Sequence, residues 1–238
     1  MTRIGGITYR ARTTVFVGFM VVWALGATIS SAAAKERTAP VGKTYTWSFQ
    51  SDTLGQKPAH TMAFGGTWQV SEDSTGLASR DSTALTPLSR FLRQSEDSDG
   101  ITFHYLTFTR PLLEDLDASV RFRIRSGEID PSAGLLFQMD PKGASGYLVR
   151  VSGRTGELVF HYLLYGKRRD VKFAKIGPLE PGTWHTIAIS RRKSVTQAFF
   201  DGKEAMRVRD DRFWKGNVGV WTEDDTLVDF TDLVATAR

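Results

Sequence analysis

The sequence lacks cysteine altogether and contains little histidine. With no cysteine among its 238 residues, the chain cannot form a disulfide, supply a thiol nucleophile, bind zinc through sulfur or carry a lipid on an N-terminal cysteine. The four histidines are His60, His104, His161 and His185, and no two of them have the spacing of the HExxH motif of zinc hydrolases. A GxSxG motif and a glycine-rich phosphate loop are absent as well. The sequence therefore carries none of these common enzyme signatures.

The basic excess of the chain is concentrated at its N-terminus. The net charge is +5, from 31 Lys and Arg against 26 Asp and Glu. Three arginines lie in the first twelve residues, and an uncharged, mostly apolar stretch from Thr13 to Ala34 follows them and ends in small residues. This order predicts a secretory signal peptide at residues 1–34, cleaved after Ala34. An uncleaved membrane anchor is the alternative, because an uncharged segment of this length can nearly span a bilayer.

Removal of the signal peptide changes what the charge implies about partners and location. It would leave 28 basic residues against 26 acidic ones, a net charge of +2. A nearly balanced, exported chain is not expected to bind nucleic acid. An exported protein without cysteine fits a bacterial periplasm or the cell exterior. We therefore expect a periplasmic or secreted protein that touches the membrane only through residues 1–34, and only if they are retained.

The rest of the chain has the pattern of β-strands. With 41% hydrophobic and 24% charged residues, it can bury a core and is not disordered by composition. Residues 117–126 alternate apolar Val, Phe and Ile with three arginines, which is typical of a strand with one buried face. Similar segments recur about every 8–12 residues between turn signals such as Asp201-Gly202, without a long amphipathic helix. The sequence predicts an all-β fold, an antiparallel two-sheet sandwich over residues 44–238, preceded by a short tether at residues 35–43.

The acidic residues give little support for catalysis. A retaining glycosidase needs two carboxyl groups about 5–5.5 Å apart, and the strand motif Glu-x-Asp-x-x-Glu is absent. Eleven of the 26 acids occur in four adjacent pairs and one triplet, Glu223-Asp224-Asp225, with turn-like surroundings where solvated carboxylates are common. We predict no catalytic residue.

Three aspartates are candidate calcium ligands. A jelly roll pairs its first and last strands, which would bring Asp52 near Asp229 or Asp232. Calcium accepts a few carboxylates together with carbonyl oxygens in a flexible geometry. A structural Ca²⁺ site is one interpretation, and turn or capping aspartates without a metal are the other.

Several segments, taken in order, resemble a known superfamily. They are Phe49–Gly55, Gly66–Val70, Val120–Arg123, Ser126–Asp130, Ala133–Phe137, Gly182–His185, Phe199–Lys203 and Asp210–Leu233. This set resembles the concanavalin A-like lectin/glucanase superfamily, and within it the secreted bacterial proteins related to the 3-keto-disaccharide hydrolase domain, formerly a domain of unknown function. The resemblance implies a two-sheet jelly roll whose concave face or loops contact carbohydrate in many members.

The same resemblance points to a ligand-binding face. The most similar subgroup has a segment Asn-Tyr-Tyr-x-x-Arg, of which this chain keeps one Tyr and the Arg, at Tyr147 and Arg150, and the missing polar groups weaken the case for hydrolysis. Sugar recognition needs aromatic rings for C–H faces and planar polar groups for hydroxyls. If they share a face, the candidate ligand-binding residues are Phe137, Gln138, Tyr147, Arg150, His161, Arg168, Trp221 and Asp225.

Three functions remain after this comparison of motifs. The first is an exported, non-catalytic β-sandwich that binds carbohydrate or a cell-envelope glycan. The second is a glycoside or 3-keto-glycoside hydrolase, which rests on fold analogy alone. The third is a structural or interaction protein of the envelope that binds no sugar.

Overall fold

The structure is a computed structural model that describes residues 38–73, 89–98 and 102–238. The signal peptide predicted at residues 1–34 lies outside the described residues, and so does the start of the predicted tether. Throughout the described ranges the regular secondary structure is β. No helix in these ranges is long and apolar enough to cross a membrane.

Two antiparallel sheets contain all the strands of the described ranges. In chain order the strands are β1 (Thr44–Trp47), β2 (Thr61–Phe64), β3 (Trp68–Glu72), β4 (Arg90–Gln94), β5 (Phe103–Phe108), β6 (Leu116–Ser126), β7 (Ser132–Met139), β8 (Gly146–Ser152), β9 (Glu157–Leu164), β10 (Lys167–Lys175), β11 (His185–Arg192), β12 (Val195–Phe200), β13 (Lys203–Arg209), β14 (Asn217–Glu223) and β15 (Leu227–Ala237). The eight-stranded sheet has the order β13-β12-β11-β6-β15-β4-β3, with β1 also paired to β15. The seven-stranded sheet has the order β10-β9-β8-β7-β14-β5-β2. The predicted two-sheet sandwich is confirmed.

The alternation seen in residues 117–126 sets the two faces of β6. Val120 and Phe122 are fully buried. Arg121 and Arg123, which alternate with them, point to the other face of the eight-stranded sheet and form ion pairs there. Successive side chains of a strand point to opposite faces, so this pattern fixes which face of β6 meets the second sheet.

The hydrophobic core lies between the two sheets. The eight-stranded sheet contributes Phe122 and Phe230, and the seven-stranded sheet contributes Phe137, Tyr147 and Phe160, all of them buried in one cluster. The ring centroids of Phe137 and Tyr147 are 5.2 Å apart, and those of Tyr147 and Phe160 are 5.4 Å apart. Burial of an aromatic or aliphatic side chain of this kind stabilises the fold by about 1.5–3 kcal/mol.

The two ends of the described sandwich meet. Thr44 of β1 pairs with Thr236 of β15, and the Gly42 amide donates to the Ala237 carbonyl at 2.8 Å. Just before them, Ala39 is buried, and its amide donates to the Leu112 carbonyl at 2.9 Å. Within the segment predicted as a tether, Ala39, Gly42 and Lys43 thus form backbone hydrogen bonds to the sandwich.

Candidate functional site

A row of cross-strand neighbours runs across the outward face of the seven-stranded sheet. Trp221 of β14 lies opposite Tyr105 of β5 on one side and opposite Gly134 of β7 on the other. Gly134 in turn lies opposite Arg150 of β8. Because Gly134 has no side chain, the guanidinium of Arg150 lies 5.7 Å from the Trp221 ring. A Cβ atom at Gly134 would lie 2.5 Å from the end of the Leu148 side chain, so a larger residue here would displace that leucine.

The seven-stranded sheet is strongly curved around this row. The guanidinium of Arg168 on β10 donates to the Glu223 carboxylate on β14 at 2.5 Å, although three strands separate β10 from β14. Strands in a flat sheet are about 4.8 Å apart, so these two would be about 19 Å from each other, which is too far for the two side chains to span. We call the outward face of this curved sheet the cup. Its floor is a buried apolar cluster formed by Leu136, Met139, Leu148, Leu163 and Trp221.

A buried ion network lies on the floor of the cup. One oxygen of the Glu223 carboxylate is 2.8 Å from the Arg150 guanidinium, and the other accepts from Arg168. Arg150 also forms an ion pair with Asp130, which accepts from the Ser152 hydroxyl at 2.6 Å. Burial raises the pKa of Glu223, and the two arginines oppose this rise. Removal of one partner would leave an uncompensated buried charge, which is costly. The ion pairs therefore fix the positions of these side chains.

His161 of β9 adds a hydrogen-bond acceptor to the cup. Its Nδ1 lies 2.9 Å from the Asp170 carboxylate on β10. Burial, reinforced by Arg168 and then Arg150, lowers the pKa of His161 to about 2, so the ring is neutral. A carboxylate only accepts hydrogen bonds, so Nδ1 carries the proton and Nε2 carries a lone pair. Nε2 is buried and has no partner within the described part of the chain.

Aromatic rings line the side of the cup nearest β14. The Arg168 guanidinium lies 5.0 Å from the Phe103 ring and 5.2 Å from the Trp221 ring. Phe64 and Tyr105 form a stacked pair with centroids 4.8 Å apart. The Trp221 Nε1 and Arg150 Nε groups, like His161 Nε2, lack partners among the described residues. The cup thus combines the partly exposed rings of Phe64, Phe103 and Tyr105 with two buried donors and one buried acceptor that have no partner in the described chain.

Four of the eight predicted ligand-binding residues meet in the cup, and four do not. Arg150, His161, Arg168 and Trp221 share the outward face, as the preceding contacts show. Phe137 points the other way, into the core between the sheets.

Tyr147 also belongs to the core. Its hydroxyl donates to the Asp210 carboxylate at 2.6 Å and accepts from the Phe213 amide at 3.1 Å. Burial and the hydrogen bond to Asp210 raise the pKa of Tyr147 to about 12. Because Tyr147 and Arg150 are an odd number of positions apart on β8, they point to opposite faces. The two residues that match the subgroup motif in the sequence therefore lie on opposite faces of the sheet.

Gln138 and Asp225 have structural roles outside the cup. Gln138 has a positive φ of 49°, at the register shift between β7 and β14. Its side-chain amide donates to the Glu114 carbonyl at 2.7 Å. Asp225, in the turn between β14 and β15, accepts from the backbone amides of Glu128 and Ile129. Each side chain thus holds a neighbouring loop in place through hydrogen bonds to its backbone.

Sequence reasoning missed three carboxylates of the cup. Glu223 was assigned to a turn together with its acidic neighbours, but it is the last residue of β14. The signal was present, because Glu223 follows Trp221 by two positions and so shares its face. Asp130 and Asp170 gave no comparable signal, since one lies in a turn and the other on an edge strand.

The three aspartates proposed as calcium ligands do not form a metal-binding group in the described ranges. Asp229 has no exposed side-chain surface and lies between the guanidinium groups of Arg93 and Arg123. Asp232 pairs with Arg121 at 3.1 Å, and Asp52 lies in the loop between β1 and β2. β1 pairs with residues 233–236 of β15, beyond both β15 aspartates. In the described ranges no group of three His, Asp or Glu side chains is placed to hold a metal ion. The expected site is thus not formed.

Comparison with known proteins identifies the fold. No family model matches the chain, that of the 3-keto-disaccharide hydrolase domain included, and no curated protein matches it in sequence. The carbohydrate-binding module CBM66 from Bacillus subtilis is 15% identical over 75% of this chain and 96% of its own, with a TM-score of 0.60. A protein of unknown function with a galectin-like fold, also from Bacillus subtilis, is 13% identical over 82% of this chain and 96% of its own, with a TM-score of 0.56.

An enzyme has the same architecture. The β-glucanase of Bacillus licheniformis is 12% identical over 84% of this chain and 100% of its own, with a TM-score of 0.52. The fold is a concanavalin A-like jelly roll. At these identities the likeness establishes this architecture, as the sequence predicted, and the function has to be argued from the site.

Proposed function

We propose that this protein is an exported, non-catalytic jelly roll that binds carbohydrate in the cup. The observation that carries the proposal is the junction of the partly exposed Phe103 ring and Arg168 guanidinium with unpaired polar atoms beside the buried Trp221. A sugar presents an apolar C–H face and a set of hydroxyls that both donate and accept. Rings and planar polar groups on one surface match these two features.

The charges of the cup favour an uncharged saccharide. Two cations, Arg150 and Arg168, are offset by the carboxylates of Glu223, Asp130 and Asp170. The arginines are therefore engaged within the protein, and the site has no excess positive charge for an acidic sugar. Hydroxyl groups can bond to guanidinium and carboxylate groups alike. The fold shared with a carbohydrate-binding module supports the same proposal as an analogy.

A second candidate function is glycoside or 3-keto-glycoside hydrolysis in the same place. One observation favours it: Glu223 and Asp130 contact the same terminal nitrogen of Arg150, so two carboxyl groups lie close together. Burial raises the pKa of Glu223, which is the direction that a general acid requires. The engagement of Glu223 by two arginines favours binding without turnover, because these cations stabilise the ionised form.

A comparison of variants at Arg168 and Arg169 tests carbohydrate binding in the cup. Adjacent residues of β10 point to opposite faces, so Arg168 reaches into the cup and Arg169 does not. We expect Arg168→Ala to weaken the binding of a neutral oligosaccharide by about tenfold or more, the cost of a lost charge-assisted hydrogen bond. Arg169→Ala is the matched control and should bind like the wild type. Titration calorimetry against cello-, laminari- and manno-oligosaccharides measures both variants.

The same samples distinguish binding from catalysis. Equal affinity of the two arginine variants for a saccharide that the wild type binds would place its site elsewhere. Release of reducing sugar or of a 3-keto sugar by the wild type, lost in Glu223→Gln, would establish the hydrolase instead. If no saccharide binds, the interaction protein becomes the better description.

Export is the part of the proposal that rests on the sequence of residues 1–34. A basic head, an apolar middle and a small-residue end are the features that signal peptidase recognises. Expression in a Gram-negative host with N-terminal sequencing of the periplasmic fraction tests it. A mature N-terminus at Lys35 is expected. An intact N-terminus in the membrane fraction would support the anchor.

A further inference from the structure

A groove at one end of the sandwich has not been used by the proposed function. It has a volume of about 440 Å³ and lies where β6 begins, β11 ends and the loop between β13 and β14 passes. The residues that line it include Asp115, Arg191, Lys193, Asp211, Trp214 and Arg238. The volume falls in the range of about 300–1,000 Å³ that small-molecule sites occupy.

Trp214 gives this groove an exposed aromatic surface. The residue is 64% exposed, whereas Trp68 and Trp221 are buried. The Lys215 ammonium lies 4.8 Å from the centroid of its ring. An exposed indole in a polar groove has a large flat face that water solvates poorly, and the C–H face of a pyranose can cover such a ring.

Arg191 forms the buried wall of the groove. Its side chain is almost fully buried and donates from its two terminal nitrogens to the Thr196 hydroxyl and the Phe213 carbonyl, each at 3.0 Å. The guanidinium stacks over the Tyr147 ring at 4.9 Å. Its Nε–H has no acceptor within the described residues. A buried donor on a cation is costly to leave unpaired, so this wall favours a ligand with an acceptor oxygen.

The charges of the groove point to a neutral ligand. Arg191, Lys193 and Arg238 are matched by Glu114, Asp115 and Asp211. Asp115 already accepts from the Lys193 amide at 2.6 Å. With three cations and three carboxylates the groove selects neither polyanions nor polycations, and a polyhydroxylated ligand can bond to both kinds of group.

We propose that this groove is a second saccharide-binding site, in which a sugar ring stacks on Trp214 and one of its oxygens accepts from Arg191 Nε. The site is independent of the cup, because its residues belong to the end of β11 and to the neighbouring loops and not to the outward face of the seven-stranded sheet. Two sites on one chain would bind a polysaccharide more tightly than a short oligosaccharide, since the second contact becomes intramolecular.

The test monitors the NMR signal of the Trp214 indole N–H group. The ¹⁵N-labelled mature protein is titrated with cellohexaose, laminarihexaose and mannohexaose up to about 10 mM, a range that detects even millimolar affinity. The indole Nε1–H peak of Trp214 is assigned by its loss in Trp214→Ala. We expect at least one saccharide to shift this peak in the wild type and equally in Arg168→Ala, whose cup is impaired. Failure of the cup proposal would therefore leave this result unchanged.

Variants connect the shift to binding. Trp214→Ala should weaken polysaccharide binding by about tenfold, and Trp214→Phe, which keeps a ring, should weaken it less. Tyr165→Ala, which removes another exposed ring outside the groove, is the matched control and should bind like the wild type. No movement of the Trp214 peak with any of the three saccharides would overturn the proposal. Movement with anionic phospholipid vesicles but with no saccharide would also overturn it, in favour of a membrane contact.

Discussion

Tyr147 and Arg150 show how the pleat decides the role of single residues. They lie three positions apart on β8, and both match the sequence motif of the most similar subgroup. Tyr147 fills the core and bonds to Asp210, whereas Arg150 lies on the cup floor beside Trp221 and Glu223. An odd separation on a strand places two side chains on opposite faces. Of the two, only Arg150 lies on the face where we propose that carbohydrate binds.

His161 makes the stability of the fold depend on pH. Burial, with Arg168 and Arg150 nearby, lowers the pKa of this histidine from 6.5 to about 2. Below pH 6.5 the unfolded chain takes up a proton that the folded protein excludes, so the free energy of unfolding falls by about 1.4 kcal/mol per pH unit. The stabilising contribution of the neutral ring is complete above pH 6.5 and is lost as the pH falls.

A comparison of the wild type with His161→Gln isolates this effect. Urea unfolding at pH 7.5 and pH 5.0 gives the difference in unfolding free energy between the two proteins at each pH. That difference should decrease by about 2 kcal/mol at the lower pH, in the direction that makes the wild type relatively less stable. A difference that stays constant would mean that folded His161 accepts a proton in this range.

At the scale of elements, the alternation of apolar and polar residues along a strand could be predicted from the sequence, and the curvature of the seven-stranded sheet could not. The period-2 pattern of β6 correctly placed three arginines on one face. The same rule applied to β14 would have placed Glu223 beside Trp221, but the run of three acids suggested a turn. The contact between Arg168 and Glu223 was beyond any local pattern, because it joins strands separated by three others. Bulges and twist set this curvature, and the strand sequences do not specify it.

The outward face of the eight-stranded sheet is fixed by an ion ladder across β4, β15 and β6. Asp229 is directly opposite Arg93 on one neighbour and Arg123 on the other. Its side chain is 0% exposed, while that of Asp232 is 47% exposed and pairs only with a half-exposed Arg121. The two aspartates of β15 therefore differ in what they stabilise.

Replacing these two aspartates by asparagine measures that difference. Asp229→Asn leaves the guanidinium groups around it without their shared counter-ion and should cost about 3–5 kcal/mol, as for other broken buried pairs. Asp232→Asn is the matched control on the same strand and should cost less than about 1 kcal/mol. Urea unfolding at pH 7.5 gives both values. Similar costs for the two variants would show that the ladder adds no stability beyond that of a surface pair.

For the whole molecule, the spacing of strands and turns sufficed to predict the architecture, while the site depended on long-range pairing. The jelly roll follows from many short alternating segments that can bury their apolar faces only against a second sheet. Its closure depends on contacts between the first and last strands, such as Thr44 with Thr236. Long-range pairing also gave Asp229 and Asp232 arginine partners in place of the metal that the sequence suggested.

The meeting of the two ends predicts that the chain tolerates circular permutation. The Gly42 amide donates to the Ala237 carbonyl, and the Ala237 amide donates to the Lys43 carbonyl at 3.0 Å. A flexible linker of about ten residues can therefore join Arg238 to Thr38 without strain. New ends between Gly202 and Lys203 fall in the exposed turn that joins β12 and β13, where few contacts are broken.

This permutant should melt cooperatively and bind the same saccharide as the wild type within about twofold, because the cup and the closing strands are intact. Opening the chain between Leu135 and Leu136 instead cuts β7, which pairs with both β8 and β14, and should abolish the cooperative transition. Thermal melting by circular dichroism and titration calorimetry measure both proteins. If the first permutant also fails to fold, the hairpin of β12 and β13 has to be continuous for the sandwich to assemble, and pairing of the ends alone does not determine the fold.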